Sequence, residues 1–175
     1  MASMPAAGRA PGWEGGQSAM SQFLGTHQTK LDAKNRTSVP SAFRTALRNG
    51  GGAAASAALV LRPSHQHPCI EAWPADVFAA MAEPMDRMDV FSEDQDDMAI
   101  AVYADAAQVE PDKDGRIILP DSLVEHAGLQ DTIVFMGLGR LFQIWEPAGA
   151  AKRTAEARER ARARGLTLPG RGTVN

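Results

Sequence analysis

Two short motifs in the sequence place an aspartate four residues before an arginine. Asp32 precedes Arg36, and Asp112 precedes Arg116 at an offset of 80 residues. A carboxylate at the end of a strand accepts hydrogen bonds from backbone N–H groups two residues on, which fixes a tight turn. An arginine launched from such a turn presents a planar fork of donors, suited to a phosphate or to the edge of a guanine.

The residue just before each arginine fits the same turn. Asn35 and Gly115 are residue types that tolerate a positive φ, which the turn requires. A simpler alternative is that each aspartate only pairs with its own arginine, because most exposed ion pairs have no further role. The recurrence of the motif in register favours a function, and the alternative stays open.

Each motif lies in the same series of elements. A strand leads into the turn, a short apolar strand follows, and a proline then begins a helix. The predicted strands are residues 25–31 and 37–39 in the first copy, and residues 106–111 and 117–119 in the second. Pro40 and Pro120 suit a first helical turn, where the missing N–H has no intrahelical partner.

A hairpin ends each copy, and the two copies are expected to pack on each other. The predicted hairpins pair residues 59–62 with 69–73 and residues 132–136 with 141–145, and Phe23 falls on Tyr103 at the same offset. A unit of roughly 45 residues cannot bury a sufficient core alone. We therefore expect a pseudo-two-fold pair that shares one core and carries both arginines on one face.

The overall charge limits how the protein could meet a polyanion. The chain has 175 residues and a formal net charge of -3, so any nucleic-acid contact must come from a local basic patch. Residues 30–48 form such a patch, with five basic residues against one acidic residue. The single cysteine, Cys69, cannot close a disulfide within the chain. Neither a secretory signal nor a membrane segment is expected.

The segments between and after the copies are predicted to be helical. Residues 74–81 and 92–100 indicate two short helices broken near Pro84, within a stretch that carries seven acidic residues between positions 83 and 97. Residues 150–164 form an Arg-rich helix without a continuous apolar stripe, which favours a solvated helix. Nonspecific DNA contacts by this helix are a second possibility. Residues after Gly165 indicate a frayed tail.

The doubled motif and its neighbours closely resemble the MraZ family, tandem-domain bacterial proteins of the SpoVT-AbrB class. The resemblance rests on residues 31–36 with Val39 and Pro40, on residues 112–120, and on the run from His126 to Leu129. It extends over about residues 20–150 and includes the segments at 23–25, 67–69 and 145–146. The family usually has Gly where this chain has Asn35.

This resemblance implies a fold and a division of the chain. The fold class is α+β and strand-rich, with two SpoVT-AbrB-like swapped-hairpin or barrel halves forming an intramolecular pseudo-dimer, short linker helices and a C-terminal helix. The expected parts are a flexible leader (1–20), the first repeat (21–74), an acidic helical linker (75–102), the second repeat (103–147) and an Arg-rich helix with a tail (148–175).

The resemblance also implies a function. It indicates a cytoplasmic, nucleoid-associated regulator, usually a repressor, that binds direct repeats upstream of the division and cell-wall gene cluster as a ring homo-oligomer. The expected partner is double-stranded DNA, with no membrane, cofactor, metal or small-molecule substrate. The DNA-binding residues would be Arg36, Arg116, Lys34, Lys30 and Lys113, and the turn residues Asp32, Asn35, Asp112 and Gly115.

Two other classes of function are alternatives to DNA-binding regulation. An oligomeric scaffold or antitoxin-like module that binds a protein partner is the main alternative. An enzyme has no support, because no catalytic constellation stands out in the sequence. His65, His67 and Cys69 could form part of a zinc site, but a fourth spaced ligand is missing, so a hairpin loop is the preferred interpretation.

Overall fold

The computed structural model describes residues 22–50 and 57–170. The leader predicted over residues 1–20 lies outside the described residues. The tail after Gly165 is described as far as residue 170, and it forms neither helix nor strand there.

The described chain contains eight strands, six α-helices and one π-helix. The first copy comprises β1 (Thr26–Lys30), β2 (Arg36–Ser38), α1 (Ser41–Asn49), β3 (Leu59–Pro63) and β4 (Ile70–Pro74). The linker comprises α2 (Ala75–Ala79), α3 (Ala82–Asp86), α4 (Glu93–Ala99) and the π-helix (Ile100–Ala104). The second copy comprises β5 (Ala107–Val109), β6 (Arg116–Ile118), α5 (Asp121–His126), β7 (Thr132–Gly137) and β8 (Phe142–Trp145), and α6 (Pro147–Ala163) follows.

A helix follows each of the two prolines, as predicted, but the prolines lie at the cap just before the helix and not within its first turn. Pro40 and Pro120 lie immediately before α1 and α5 in an extended conformation. The carbonyl of Pro40 accepts a hydrogen bond from the backbone N–H of Arg44, and that of Pro120 accepts one from Val124. Each proline thus closes the first helical turn through its carbonyl and needs no N–H of its own.

The strands pair between the two copies of the repeat. The main sheet has the order β1-β7-β8-β4-β3-β5, and neighbouring strands in it are antiparallel. The opening strand of each copy adds to the hairpin of the other, β1 beside β7 and β5 beside β3. A second sheet contains β2 and β6 alone. The predicted α+β, strand-rich architecture with a C-terminal helix is confirmed.

One face of the main sheet covers a core to which both copies contribute. Phe43 of α1 and Leu123 of α5 are both buried against this face. The ring of Phe43 lies 5.0 Å from that of Phe142 and 5.3 Å from that of Phe23. Burying each such side chain stabilises the fold by about 1.5–3 kcal/mol. Separating the two copies would expose these side chains and cost much of the stability of the fold.

The linker helices cover part of the opposite face of the sheet. Val60, Phe78 and Val102 are buried together there, and Met81 and Met98 pack around them. The acidic side chains of α3 and α4 are exposed. This amphipathic arrangement explains why so acidic a segment still packs on the sheet.

A buried ion pair lies on this same opposite face. Arg62 Nη2 contacts Glu71 Oε2 at 2.7 Å, and both side chains are almost entirely buried. Trp73 Nε1 donates to the same carboxylate oxygen at 3.1 Å, and Arg62 Nη1 donates to the carbonyl of Ala101 at 3.4 Å. The pair therefore ties the first hairpin to the end of the linker.

The C-terminal helix packs on the sheet at its beginning. Glu146 accepts hydrogen bonds from the backbone N–H groups of Ala148 and Gly149 and so caps α6. Ala150 is buried against Val134 and Trp145. The expectation of a solvated helix is wrong for this first part, where the small residues Gly149 and Ala150 allow close contact with the sheet, and it holds for the exposed C-terminal turns. None of the helices within the described ranges is both long and apolar enough to cross a membrane.

Two details differ from the sequence-based expectations. Pro84 was predicted to break the linker helices, but it lies in the first turn of α3, where its missing N–H is tolerated. Tyr103 was matched to Phe23, yet Phe23 is buried in the core whereas Tyr103 lies in the π-helix and packs on Phe78. The π-helix carries the helical linker to Ala104, two residues past the boundary expected at residue 102.

Candidate nucleic-acid interface

The first Asp-x-x-x-Arg segment forms a turn locked by its aspartate. Asp32 Oδ1 accepts hydrogen bonds from the backbone N–H groups of Lys34 at 2.9 Å and Arg36 at 2.8 Å. The Asp32 carbonyl accepts a third from the N–H of Asn35 at 3.0 Å. Asn35 has a φ of 59°, the left-handed conformation that asparagine tolerates better than most residues.

The second segment repeats this geometry. Asp112 Oδ1 accepts hydrogen bonds from the N–H groups of Asp114 and Arg116, both at 2.9 Å. The Asp112 carbonyl accepts one from Gly115, whose φ is 76°. The two turns therefore hold their arginines in the same way.

The strands that leave these turns pair with each other and place both arginines on one face. In the register of β2 and β6, Arg36 lies opposite Ile118 and Ser38 lies opposite Arg116. Since side chains alternate along a strand, Arg36 and Arg116 project from the same face as diagonal neighbours. Their side chains are 41% and 45% exposed. Thr37 and Ile117 point the other way and are buried.

Both arginines also contact the carboxylates of their own turns. Arg36 Nε donates to Asp32 Oδ2 at 2.8 Å. Arg116 Nε lies 3.4 Å from Asp112 Oδ2, and its Nη2 donates to Asp114 Oδ2 at 3.2 Å. Both terminal nitrogens of Arg36 and Nη1 of Arg116 make no hydrogen bond within the described part of the chain. The carboxylates thus orient the guanidinium groups and leave donors for an oxyanion or a base edge.

The turns also keep their aspartates ionised. The hydrogen bond from the Arg36 backbone N–H lowers the pKa of Asp32 below the ordinary value of 3.8. Desolvation opposes this shift, and the Arg36 side chain and the Lys34 N–H lower the pKa further by smaller amounts. The backbone N–H of Arg116 does the same for the pKa of Asp112. At neutral pH both carboxylates are therefore charged and able to brace the turn.

Each turn is buttressed by the helix of the other copy. Asn35 Nδ2 donates a hydrogen bond to Asp121 Oδ1 of α5 at 2.5 Å. At the equivalent position, a Cβ added to Gly115 would lie 2.4 Å from Cδ of Arg44 on α1, so the arginine lies directly over this glycine. Sequence reasoning missed Arg44 and Asp121 as parts of the site. The sequence feature that could have indicated them is their position in the first turn of the helix after each proline, Arg44 in α1 and Asp121 in α5.

The predicted lysines do not all lie beside the arginine pair. Lys34 and Lys113 are exposed on the two turns themselves. Lys30 lies on β1, outside the two-stranded sheet, and its Nζ donates to Thr132 Oγ1 at 3.1 Å. The structure therefore keeps Lys34 and Lys113 on the turns that carry Arg36 and Arg116, whereas Lys30 lies on the neighbouring strand β1.

The His/Cys segment of the first hairpin has other surroundings. Burial raises the pKa of the Cys69 thiol to about 12. His67 stacks on Trp145, with ring centroids 5.9 Å apart. In the described ranges, 22–50 and 57–170, no three His, Cys, Asp or Glu side chains come together as a metal site would require.

Comparison with known proteins points to one family. The profile of the family described as "MraZ protein, putative antitoxin-like" matches residues 22–99 and 102–164. A protein of Gluconacetobacter diazotrophicus named transcriptional regulator MraZ is 62% identical over 153 residues, which cover 87% of this chain and 95% of the relative. Proteins of the same name from Gluconobacter oxydans and Azorhizobium caulinodans are 54% and 35% identical, over 82% of this chain and 87% and 88% of their own lengths.

Proposed function

Because the chain belongs to the MraZ family, we propose that it is a transcriptional regulator that binds double-stranded DNA through the face bearing Arg36 and Arg116. The observation that supports this most strongly is the β2–β6 register, which sets two carboxylate-braced guanidinium groups side by side and exposed. A pair of forks at this spacing matches donors to successive phosphates or to a guanine edge.

In this proposal the residues divide into two roles. Arg36 and Arg116 read or clamp the DNA, and Lys34, Lys113 and the more distant Lys30 contact phosphates. Asp32, Asn35, Asp112 and Gly115 shape the turns from which the arginines project. The protein has no proposed catalytic role and no proposed cofactor.

The charge of one protomer is too small for tight binding by itself. Residues 30–48 carry a net charge of +4, whereas residues 112–116 carry none. We propose that several copies assemble into a ring that presents these faces to direct repeats in the promoter of the division and cell-wall gene cluster. Linked contacts of this kind raise the apparent affinity by ~10²–10⁴. Repression at that promoter and a location on the nucleoid follow from this proposal.

The strand exchange supports a description of the fold as an intramolecular pseudo-dimer. We propose two swapped-hairpin halves of the SpoVT-AbrB kind, residues 21–74 and 103–147, joined by the acidic linker of residues 75–102 and followed by residues 148–175. The placement of β1 beside β7 and of β5 beside β3 supports this division. We propose that the Arg-rich α6, whose first turn packs on the sheet face opposite the core, is not part of the DNA face.

A second candidate function is an oligomeric scaffold or antitoxin-like module that binds a protein partner. The observation in its favour is that both arginines already form ion pairs with carboxylates of their own turns. If those pairs were the whole role of the arginines, DNA binding would be weak and independent of sequence.

Fluorescence anisotropy with DNA from upstream of the protein's own gene tests the proposal. We expect Arg36→Ala and Arg116→Ala to abolish sequence-specific binding while light scattering shows an unchanged oligomer. Arg87→Ala is a matched control, because Arg87 is also exposed and paired with a carboxylate four residues away, but on the linker. If competitor DNA of scrambled sequence displaces the wild-type protein from the probe at every salt concentration, the result would instead support the scaffold function.

A further inference from the structure

A cavity of about 430 Å³ lies on the sheet face opposite the core, between α6 and the strands β1 and β7. Its floor includes the apolar side chains of Met136 and Leu138. Its polar lining comes from both the sheet and the helix, and it includes Thr26, His67, Gln143, Arg153, Thr154 and Arg158. The volume falls within the range of ordinary small-molecule sites.

One guanidinium nitrogen in this cavity is buried without a partner. Arg153 Nη1 is inaccessible to solvent and makes no hydrogen bond within the described residues. Arg153 also has no carboxylate within ion-pair distance there, in contrast to Arg62, whose charge is balanced by Glu71. The Arg153 side chain is half-buried, and its guanidinium makes no hydrogen bond within the described residues, so its charge is free to pair with an anionic ligand.

The electrostatic character of the cavity is positive. Arg153 and Arg158 contribute two positive charges to the lining. Glu71 also lines the cavity, but Arg62 Nη2 and Trp73 Nε1 already hold its Oε2 at 2.7 Å and 3.1 Å. The remaining polar groups are amides, hydroxyls and the imidazole of His67, all of which can donate to an anion.

We propose that this cavity binds a small molecule with an oxyanion group, either a phosphate or a carboxylate, and that Arg153 is its anchor. Gln143 and Thr154 supply further donors, and Met136 and Leu138 accommodate the apolar part of the ligand. The cavity lies across the sheet from the arginine pair of the proposed DNA face, so this site does not depend on DNA binding.

His67 offers an internal reporter of occupancy. Its ring lies in the lining, and burial followed by the charge of Arg153 lowers the pKa of His67. Glu71, Glu156 and Arg160 act on it more weakly. An anion bound at Arg153 offsets the positive charge beside the imidazole and raises the pKa of His67.

Thermal unfolding at constant ionic strength tests the site, with inorganic phosphate and succinate as separate probes. We expect saturating phosphate or succinate to raise the melting temperature of the wild type by about 2 °C or more, and the probe that does so identifies the headgroup. Arg153→Gln should lose this increase. Arg162→Gln should retain it, because it removes the same charge from an exposed position on the same helix.

Arg153→Gln should also melt at or above the wild-type temperature without anion, since it removes an unpaired charge from a half-buried position. If that variant fails to fold, NMR titration of wild-type His67 decides, with its pKa expected to rise in the effective anion. The proposal is overturned if neither anion shifts the wild-type melting temperature, if Arg153→Gln and the wild type respond equally, or if His67 does not respond.

Discussion

Asn35 of the first copy donates a hydrogen bond from its side-chain amide to Asp121 of the second copy, at 2.5 Å. The contact joins the tip of one arginine-bearing turn to the first residue of the opposite helix, α5. Asparagine thus serves two purposes here, because it adopts the left-handed φ of 59° and it also bridges the copies. A glycine at this position could supply only the first.

Substitutions at Asn35 should separate these two purposes. Asn35→Gly loses the hydrogen bond but keeps the backbone conformation, so we expect the free energy of unfolding to change by less than about 1 kcal/mol. Asn35→Ala loses the hydrogen bond and also disfavours the left-handed backbone conformation. We expect its free energy of unfolding to fall by about 1–2 kcal/mol. Urea unfolding measures the difference. Equal stability of the two variants would show that the left-handed backbone carries no cost.

The hydrogen bond itself is isolated by a double-mutant cycle with Asp121→Ala. We expect a coupling free energy of about 0.5–1.5 kcal/mol between Asn35→Gly and Asp121→Ala. The cycle is needed because Asp121 also lies in the first turn of α5, where a negative charge favours the helix in either background. Strict additivity would mean that the contact contributes nothing to stability.

The second turn should be less tolerant than the first. In Gly115→Ala the new Cβ would meet Arg44 Cδ at 2.4 Å, and φ is 76°. A left-handed residue other than glycine usually costs about 1–2 kcal/mol of stability. We expect the free energy of unfolding to fall by more than this, because Arg44 must also move. Gly128→Ala is the matched control, since Gly128 has a φ of 59° and nothing within 4 Å of an added Cβ. Equal losses in the two variants would exclude a steric role for Arg44.

The local parts of the fold could be predicted from the sequence. The Asp-x-x-x-Arg turns, the helices after Pro40 and Pro120 and the two hairpins depend on contacts between residues close in the chain. The choice of strand partners could not be predicted. β1 reads Thr-His-Gln-Thr-Lys and holds no apolar residue, so its sequence shows neither which face is covered nor that it pairs with β7 of the other copy.

The local parts of the candidate site could also be predicted from the sequence, and the contacts between the copies could not. The arginines and their turns follow from the motif, whereas Arg44 and Asp121 enter the site only because the copies pack on each other. The cavity at Arg153 had no sequence signal, since it depends on how α6 lies against the sheet. The alanines that allow this close packing carry no amphipathic pattern.

The two hairpins of the molecule provide a test of the buried ion pair. Glu71 and Gln143 are partners across β4 and β8, and each accepts a hydrogen bond from the tryptophan two residues later. Arg62→Met alone should lower the free energy of unfolding, measured by urea unfolding, by about 3–5 kcal/mol, because it leaves the buried carboxylate of Glu71 unpaired. Adding Glu71→Gln reproduces the neutral arrangement of the second hairpin, and we expect most of the loss to be recovered. A double variant as unstable as the single one would contradict this expectation.

Acid should loosen the arginine-bearing turns only at low pH. The pKa of Asp32 in the folded state lies below 3.8, chiefly because its carboxylate accepts a hydrogen bond from the Arg36 backbone N–H. A carboxyl group with a depressed pKa stabilises the fold above its unfolded pKa, and this contribution is lost as the pH falls through the folded value. We therefore expect the amide proton of Arg36 to keep its hydrogen-bonded NMR shift down to about pH 4 and to lose it below.

Asp32→Asn should remove this titration while the equivalent amide of Arg116 still responds to Asp112. A carboxyl resonance of Asp32 that titrates at or above pH 3.8 would show that the turn does not hold its aspartate as the geometry requires.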